Sequence, residues 1–191
     1  MKTILLKGQM RKDTGSKYAR EMRKIGIVPC VMYGGKENVH FGVYEADFKN
    51  LVYTPNVYKV KLDLDGQIFQ AILHDMQFHP VNDAIIHADF FETADDKPVV
   101  MHIPVKVAGN SPGVRAGGKL VKKITKLAIR GLVKDMPDFV EVSIDTLEIG
   151  QSIRVNAVSL KNLELLDAPE NAILTCKTTR AVVAAEPDAK K

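Results

Sequence analysis

The chain lacks several features on which common functional classes depend. Its 191 residues contain no tryptophan and two cysteines, Cys30 and Cys176, in unrelated contexts without CxxC spacing. Such cysteines are typical of reduced core residues in a cytoplasmic protein and provide no disulfide framework. The longest apolar runs, such as Ala181–Ala185, are far too short to cross a bilayer. Lys7 interrupts the apolar start, so we expect no secretory signal and no membrane association.

Catalytic motifs are equally scarce. The sequence contains no HExxH and no GxSxG pattern. Gly113–Lys119 matches the GxxxxGK part of a phosphate-binding loop, but Leu120 stands where a hydroxyl side chain should hold Mg²⁺. A glycine-rich surface loop explains this segment better than a nucleotide site. We therefore predict that the chain is not an enzyme and needs no cofactor.

Five histidines and aspartates invite a metal or acid–base interpretation: His74, Asp75, His79, His87 and Asp89. The strand period of two places His87 and Asp89 on one face but His74 and Asp75 on opposite faces. No zinc-type spacing reinforces the group, so we expect no metal site. Two roles stay open for the His87–Asp89 pair. It is either a recognition element for base edges and 2′-hydroxyls or a satisfied polar pair at a strand end.

Basic residues are concentrated in two segments, although the net charge is only +4. Residues 1–36 carry nine basic and two acidic groups, whereas residues 37–93 carry three basic and nine acidic groups. A second segment, 113–134, has seven basic residues and no acid. Charge of one sign in a short segment creates a positive field that suits a polyanion, although a solvated face explains it equally well.

The segment Ser16–Ile25 predicts a helix with two distinct faces. Its apolar residues fall at i, i+4 and i+7 and should face a core: Tyr18, Met22 and Ile25. Its cations recur at helical spacing on another face, with Arg23 alongside: Lys17, Arg20 and Lys24. Thr14 or Ser16 should cap its start, and Gly26 should stop it.

The remaining pattern predicts a mainly β (all-β or α+β) chain. At the start of the chain we expect a strand with Ile4 and Leu6 on one face. In the rest of the first half, we expect a short helix at 45–52, a tight hairpin at Asp65-Gly66, and strands at 28–33, 57–64, 67–73, 74–80 and 84–91. Later strands are expected at 99–107, 120–134, 139–144, 152–158 and 172–178, and Pro104 suggests that the first of these lies at a sheet edge. The predicted domains are β-barrel-like at 1–93 and β-sandwich-like at 98–180, with a disordered tail at 181–191.

The order of several motifs resembles one family. Arg11–Gly15, Ala19–Arg23 and Gly26–Gly34 resemble its R…G…A-R-x-L-R…G-x-P-A-V-x-Y-G pattern, and Gln77–Pro80 with Ile86–Phe90 resembles its later motifs. Segments of the second half resemble the C-terminal domain of the long form: Ser111–Val114, Gly117–Leu120 and Leu147–Ile153. The family is bacterial large-subunit ribosomal protein twenty-five, whose long form is known as general stress protein CTC. The resemblance covers residues 1 to about 180.

This resemblance implies a six-stranded barrel-like domain, with two or three short helices, that binds the loop E region of 5S rRNA. It also implies a separate C-terminal β domain, a cytoplasmic ribosomal location and a monomer off the ribosome. Carried over by position, the implied RNA-binding residues are Arg11, Lys12, Lys17, Arg20, Arg23, Tyr33, Gln77, His79, His87 and Asp89. The arginines would meet phosphates and sugars, whereas His87 and Asp89 would hydrogen-bond within the minor groove.

Some of these implications stay open. Ser16 stands where the family often has lysine and Glu21 where it is often basic, which weakens the expected contacts from the middle of the helix. The C-terminal domain could meet further rRNA or a neighbouring ribosomal protein, or its basic segment could be a solvated face. The alternative function is a general stress or protein-interaction module whose basic segments are incidental. A metal-dependent hydrolase is a third reading.

Overall fold

The structure, a computed structural model, describes residues 1–35, 37–94, 97–160 and 162–179. The chain divides into two compact units. The first comprises Met1–Val99 with Leu132–Asp138, and the second comprises Val100–Gly131 with the described residues from Phe139 onwards. The predicted tail at 181–191 lies outside the described residues, and the predicted domain bounds stay a prediction. No helix in the described ranges is long and apolar enough to cross a membrane.

Six strands of the first unit close into a barrel, which confirms the expected mainly β class. They are β1 (Lys2–Met10), β2 (Ile27–Tyr33), β3 (Val39–Tyr44), β4 (Tyr58–Leu64), β5 (Gln67–Phe78) and β6 (Ile85–Glu92). Around the barrel the order is β1, β3, β2, β6, β5, β4. The pairs β1–β4 and β2–β6 are parallel, and the other pairs are antiparallel. Closure removes the exposed sheet edges that would otherwise invite aggregation.

The interior of the barrel follows the alternation in the sequence. On β4, Val60, Leu62 and Leu64 are 1%, 0% and 0% exposed, while Lys61 between them faces solvent. The predicted hairpin after this strand is confirmed, because Asp65 and Gly66 both have positive φ, at 51° and 90°. Such a two-residue turn matches the twist of the flanking strands.

Aromatic packing fixes the centre of this core. Phe90 of β6 lies 5.6 Å from Phe41 and 6.4 Å from Phe48, measured between ring centroids, and all three rings are fully buried. Phe48 comes from a 3-10 turn (Glu45–Phe48) that leads into α2 (Lys49–Val52), which confirms the predicted short helix. Deleting one such ring typically costs about 3–5 kcal/mol.

The first helix, α1 (Ser16–Lys24), lies where it was predicted but buries less of its apolar stripe. Met22 is 8% exposed, whereas Tyr18 is 36% and Ile25 is 68% exposed. The prediction that all three face the core is therefore wrong, because a helix this short covers only part of the barrel wall. The predicted cap is also wrong: Gly15 occupies the N-cap position and no side chain caps it.

The hairpin β5–β6 is longer than expected. The two strands predicted at 67–73 and 74–80 are one strand, β5, with a bulge at His74 where the register against β6 shifts by one residue. A bulge bends a strand without ending it, so a sequence pattern that changes phase resembles two strands. The periodicity gave no sign of β3, which pairs with both β1 and β2.

The second unit contains two small sheets, in agreement with the predicted mainly β class. The strands are β7 (Val99–Ala108), β8 (Lys119–Lys122), β9 (Lys126–Gly131), β10 (Val140–Ser143), β11 (Ser152–Arg154), β12 (Glu164–Leu165) and β13 (Ala172–Lys177). One sheet has the order β10, β7, β9, β12 and the other has the order β11, β13, β8. A short helix, α3 (Pro112–Arg115), is capped by Ser111 and lies in the predicted glycine-rich loop. A 3-10 turn (Val155–Ala157) ends the strand that was predicted to run to residue 158.

Two predictions for this unit are wrong. The strand predicted at 120–134 is divided into β8 and β9, because the chain leaves one sheet and enters the other. The amides of Lys123 and Ile124 bond the carbonyl of Ile173, and the carbonyl of Thr125 accepts from Val105. Pro104 does not mark an edge, since β7 lies between β10 and β9.

Candidate nucleic-acid interface

His87 and Asp89 point outward from the barrel wall. Along β6 the side chains alternate, with Ala88 and Phe90 fully buried and the two polar residues only partly exposed between them. On the neighbouring strand β5, Gln77 lies opposite His87. These positions share one outer face, because directly opposed residues of an antiparallel pair lie on the same side of the sheet.

The histidine and the aspartate form a direct contact. His87 Nδ1 lies 2.9 Å from Asp89 Oδ1, and each side chain is 22% exposed. At this distance the Nδ1–H donates a hydrogen bond to the carboxylate. The Tyr33 hydroxyl, which comes from the end of β2, donates to the same oxygen at 3.5 Å. We call this outer surface, made of Tyr33, Gln77, His87 and Asp89, the His87 face.

These contacts hold the polar groups in defined positions. Burial, and then the charge and hydrogen bond of Asp89, raise the pKa of Tyr33 above its ordinary value of 10.0. The tyrosine is therefore a neutral hydrogen-bond donor at neutral pH. Because His87 uses Nδ1 for Asp89, its Nε2 is the ring nitrogen available to a ligand. Preorganised donors and acceptors are what recognition of base edges and 2′-hydroxyls requires.

One hydrogen bond ties the basic helix to this face. Arg23 Nε of α1 donates to the backbone carbonyl of Ile86 at 2.9 Å. Ile86 is the extra residue of a second bulge in the β5–β6 ladder, where Gln77 pairs with His87 but Phe78 pairs with Ile85. A bulge removes one residue from regular pairing, so its carbonyl can accept from outside the sheet. The bond thus places the end of α1 beside His87.

A glycine lets the helix approach the barrel closely. A Cβ at Gly42 of β3 would collide with the side chains of Met22 and Ile27. Gly42 lies opposite Gln9 of β1 and Pro29 of β2, so the helix covers the outer wall where these three strands meet. The buried Met22 is the anchor on the helix side.

Arg11 is held at the other end of the helix. Its amide donates to the carbonyl of His40 at 2.9 Å, which extends the ladder beyond β1. Its guanidinium lies 5.5 Å from the centre of the Tyr18 ring, a cation–π distance. Arg11 Nε is buried and has no hydrogen-bond partner among the described residues. Part of the Arg11 side chain therefore packs against the helix through Tyr18.

The remaining predicted RNA-binding residues differ in whether neighbouring groups constrain their side chains. Lys12, Lys17 and Arg20 are exposed, and within the described ranges no ion pair constrains them. His79 is exposed but sits in the β5–β6 turn, where its Nδ1 accepts from the amide of Val81 at 3.3 Å. His79 therefore takes no part in the His87–Asp89 contact.

Not every acid of the 37–93 stretch avoids this surface. Asp75 lies directly opposite Asp89 on the outer face, and its Oδ1 accepts from the amide of Met76 at 2.8 Å. Glu21 is exposed on α1 itself. The face therefore combines cations on the helix with carboxylates on the strands, which favours directional hydrogen bonds over bulk attraction.

The sequence could not reveal the features that join these groups. The bulge at Ile86 and the carbonyl it offers to Arg23 depend on strand register, for which no sequence signal exists. The partnership of Tyr33 with Asp89 depends in the same way on the parallel pairing of β2 with β6, where Val31 lies beside Asp89. The sequence identified which residues could belong to the site, but strand register determines which of their side chains are in contact.

The Gly113–Lys119 segment of the second unit matches a phosphate-loop motif in sequence but does not form a phosphate-binding loop. The backbone N–H groups of this loop are used internally: Gly113 donates to Leu147, Gly117 to Val114, and Gly118 to Gly113. A phosphate cradle needs such groups unpaired and pointing at the ligand. Among the residues that the structure describes, no group of three or more His, Cys, Asp or Glu could hold a metal ion.

Comparison with known proteins decides the family. Residues 6–90 match the model of the ribosomal L25p family, and residues 98–180 match that of the ribosomal protein TL5 C-terminal domain. A large ribosomal subunit protein bL25 from Phocaeicola vulgatus is 42% identical over the whole of both chains. The chain belongs to the ribosomal L25p family.

Other relatives in the L25p family agree. A protein of the same name from Azobacteroides pseudotrichonymphae is 44% identical over 94% of this chain and 96% of its own. Another from Bacteroides thetaiotaomicron is 44% identical over 95% of each. The predicted family, in its long two-domain form, is therefore confirmed. L25p members are ribosomal proteins of the large subunit and not enzymes, in agreement with the sequence-based prediction.

Proposed function

We propose that the N-terminal barrel binds 5S rRNA in its loop E region, and that the chain thereby takes its place in the large ribosomal subunit. Family membership supports the ribosomal role, and the geometry of the barrel supports the site. The basic helix supplies phosphate contacts, and the His87 face supplies hydrogen bonds to the floor of a groove. The basic helix alone would not distinguish an irregular RNA helix from an ordinary RNA duplex.

The observation that carries this proposal is the bond between Arg23 Nε and the Ile86 carbonyl. It holds the cationic helix and the His87–Asp89 pair on one side of the barrel. A single RNA groove could not touch both groups if they lay on opposite sides.

The two groups have different tasks in this account. Arg20, Arg23 and Lys17 neutralise phosphates, which provides most of the affinity and makes it fall with salt. His87 Nε2 and the Gln77 amide meet base edges or 2′-hydroxyls, which provides discrimination. A-form RNA exposes these groups in its shallow minor groove, and a firm outer sheet face can approach that groove.

A gel-shift titration at two salt concentrations tests the proposal with the wild-type chain, the variants Arg20→Ala and His87→Ala, and one control variant. Arg20→Ala should weaken binding to loop E RNA and to plain duplex alike, and should reduce the salt slope by about 1. Removing one exposed cation of the second unit, Lys126→Ala, is the matched control and should leave loop E affinity and its salt slope nearly unchanged. If Arg20→Ala and His87→Ala both bind as wild type does, the site assignment fails.

A further inference from the structure

We propose that the three-stranded sheet of the second unit binds an RNA backbone across its outer face. This site is separate from the His87 face and uses a different arrangement of cations. It gives the second unit a ligand class, the phosphate and sugar groups of RNA. The inference goes beyond the proposed function, because the barrel could bind 5S rRNA whether or not this second face binds anything.

Strand register places three cations on one face. In the order β11, β13, β8, Lys177 lies opposite Lys119, Thr175 lies opposite both Val121 and Ser152, and Ala172 lies opposite Arg154. Leu174 and Cys176, which alternate with Thr175 and Lys177, are fully buried, so those two side chains point outward. On β11, Ser152 and Arg154 flank Ile153, which lies opposite the buried Leu174, and the bulge at Ile173 keeps Ala172 opposite Arg154. We call the outward set the Lys119 face. Its members are Lys119, Val121, Ser152, Arg154, Ala172, Thr175 and Lys177.

The Lys119 face contains no acid. Lys119, Arg154 and Lys177 are exposed, and no ion pair holds any of them within the described residues. The nearest acids along the chain, Glu148 and Glu170, lie in turns outside the three strands. Glu148 is engaged with its own turn, where Gln151 Nε2 donates to it at 3.1 Å.

The opposition of Lys119 and Lys177 is costly for the free protein. Like charges directly opposite on neighbouring strands repel each other and destabilise a sheet. Two other cations of this unit have partners: Lys122 Nζ donates to the Val105 carbonyl, and Lys106 Nζ lies 3.5 Å from the centre of the Phe139 ring. An uncompensated pair on an acid-free face is better explained by a polyanionic partner that relieves the repulsion.

Hydroxyl groups fill the space between the cations. Ser152 Oγ and Thr175 Oγ1 lie 3.0 Å apart in the central row and hydrogen-bond each other. Serine and threonine hydroxyls commonly contact phosphate and sugar oxygens in nucleic-acid complexes. Because a strand rises about 3.4 Å per residue, the lysine pair and Arg154 lie roughly 14 Å apart along the strand direction, too far to share one phosphate. The spacing suits a run of backbone phosphates and not a single small anion.

Site-specific photo-crosslinking tests which partner occupies the face. The wild-type barrel is retained, and p-benzoylphenylalanine replaces Val121 at the centre of the Lys119 face. The chain is then incorporated into large ribosomal subunits and irradiated. Crosslinks to rRNA are expected, whereas crosslinks to protein alone, or none, would overturn the proposal. The same probe replacing Leu166, which is 47% exposed outside this face, is the matched control and should give few or no RNA crosslinks.

A charge-matched pair of variants tests the mechanism. Lys119→Gln/Lys177→Gln should reduce the salt slope for an unrelated RNA duplex by up to about 2, which lowers affinity by as much as about 60-fold at 0.1 M salt. Lys126→Gln/Arg130→Gln removes the same charge from β9, in the other sheet, and should have a much smaller effect. Equal losses in the two variants would show that net charge, and not this face, carries the interaction.

The melting temperature of a Lys177 variant distinguishes an RNA-binding role of this lysine from a purely structural one. Lys177→Thr should raise the melting temperature of the free protein, by about 1–2 °C, because it removes the cross-strand repulsion. The same variant should bind the RNA duplex more weakly. A lower melting temperature, or unchanged binding, would contradict the proposal. These tests concern the second unit alone, so their failure would leave the barrel site standing.

Discussion

The barrel and the second unit both carry concentrated positive charge but use it differently. On the barrel, the basic helix is tied to a row of directional polar groups by Arg23, and His87, Asp89 and Tyr33 are held by one another. In the second unit, the cations of the Lys119 face lie on sheet strands without a bonded polar partner among the described residues, and others, such as Lys122 and Lys106, make internal contacts. The difference teaches that charge density predicts attraction to RNA, while preorganised hydrogen-bonding groups beside it predict discrimination between RNAs.

The largest expected effect comes from core substitutions that destabilise one unit at a time. Phe90→Ala should destabilise the barrel by about 3–5 kcal/mol, since it removes the ring that packs against Phe41 and Phe48. Loop E preference should vanish as the barrel unfolds, as measured by chemical denaturation together with RNA binding. Ile129→Ala, in the core of the second unit, is the control: it should lower stability but preserve the preference. Loss of preference in both variants would break the comparison.

The next effect concerns discrimination itself. His87→Ala should cost about 1–3 kcal/mol of binding to loop E RNA while changing plain duplex binding far less. His102, exposed on β7 of the second unit, is the matched control, and His102→Ala should change neither. Titrations of both RNAs with both variants measure the difference. An equal loss for loop E and for duplex would show that His87 contributes no discrimination.

A smaller effect isolates the bond that joins the helix to the face. Arg23→Lys keeps the charge but loses the Nε–H donated to the Ile86 carbonyl, and a hydrogen bond of this kind contributes about 0.5–1.5 kcal/mol. We expect weaker loop E binding with an unchanged salt slope. Lys24→Arg, a charge-preserving change on the same turn, should behave as wild type. Unchanged loop E binding in Arg23→Lys would instead show that Arg23 acts through its charge alone and that its bond to Ile86 contributes nothing to the site.

The smallest effect is a shift in titration. Asp89→Asn should lower the pKa of Tyr33, because the carboxylate's charge and hydrogen bond help to raise it. Absorbance titration at alkaline pH, with the Tyr33→Phe chain subtracted, isolates this tyrosine. The folded-state pKa lies above the unfolded value, so the associated stability is present below pH 10.0 and is lost as pH rises through the folded pKa. An unchanged Tyr33 pKa in Asp89→Asn would mean that burial alone raises it.

Much of the fold could be predicted from local sequence. The alternation along β4, the Asp65-Gly66 turn and the helix that begins at Ser16 are governed by neighbours in the chain, and each lies where it was predicted. The errors arose where distant pairing overrides local pattern. His74 resembles a strand boundary but is a bulge, and Ile25 continues an apolar stripe but is the exposed C-cap residue of α1.

The same distinction applies to the candidate site. Its residue types were recognisable from the motifs around Arg20 and from the His-x-Asp pair, since both carry chemistry in their side chains. The contact of Tyr33 with Asp89 and the bond from Arg23 to Ile86 were not, because each depends on register between strands far apart in sequence. The roles of these residues toward RNA stay a prediction that the variants above address.

Tethered hydroxyl-radical probing tests the central claim most directly, namely that the basic helix and the His87 face contact the same RNA groove. Lys17→Cys and Gln77→Cys would each carry an iron chelate, and the native Cys30 and Cys176 should not react, since both are fully buried and burial raises the pKa of the Cys30 thiol. We predict that both probes cleave 5S rRNA within the same few nucleotides of loop E. Cleavage at two separate helices, or none from Gln77→Cys, would contradict the account.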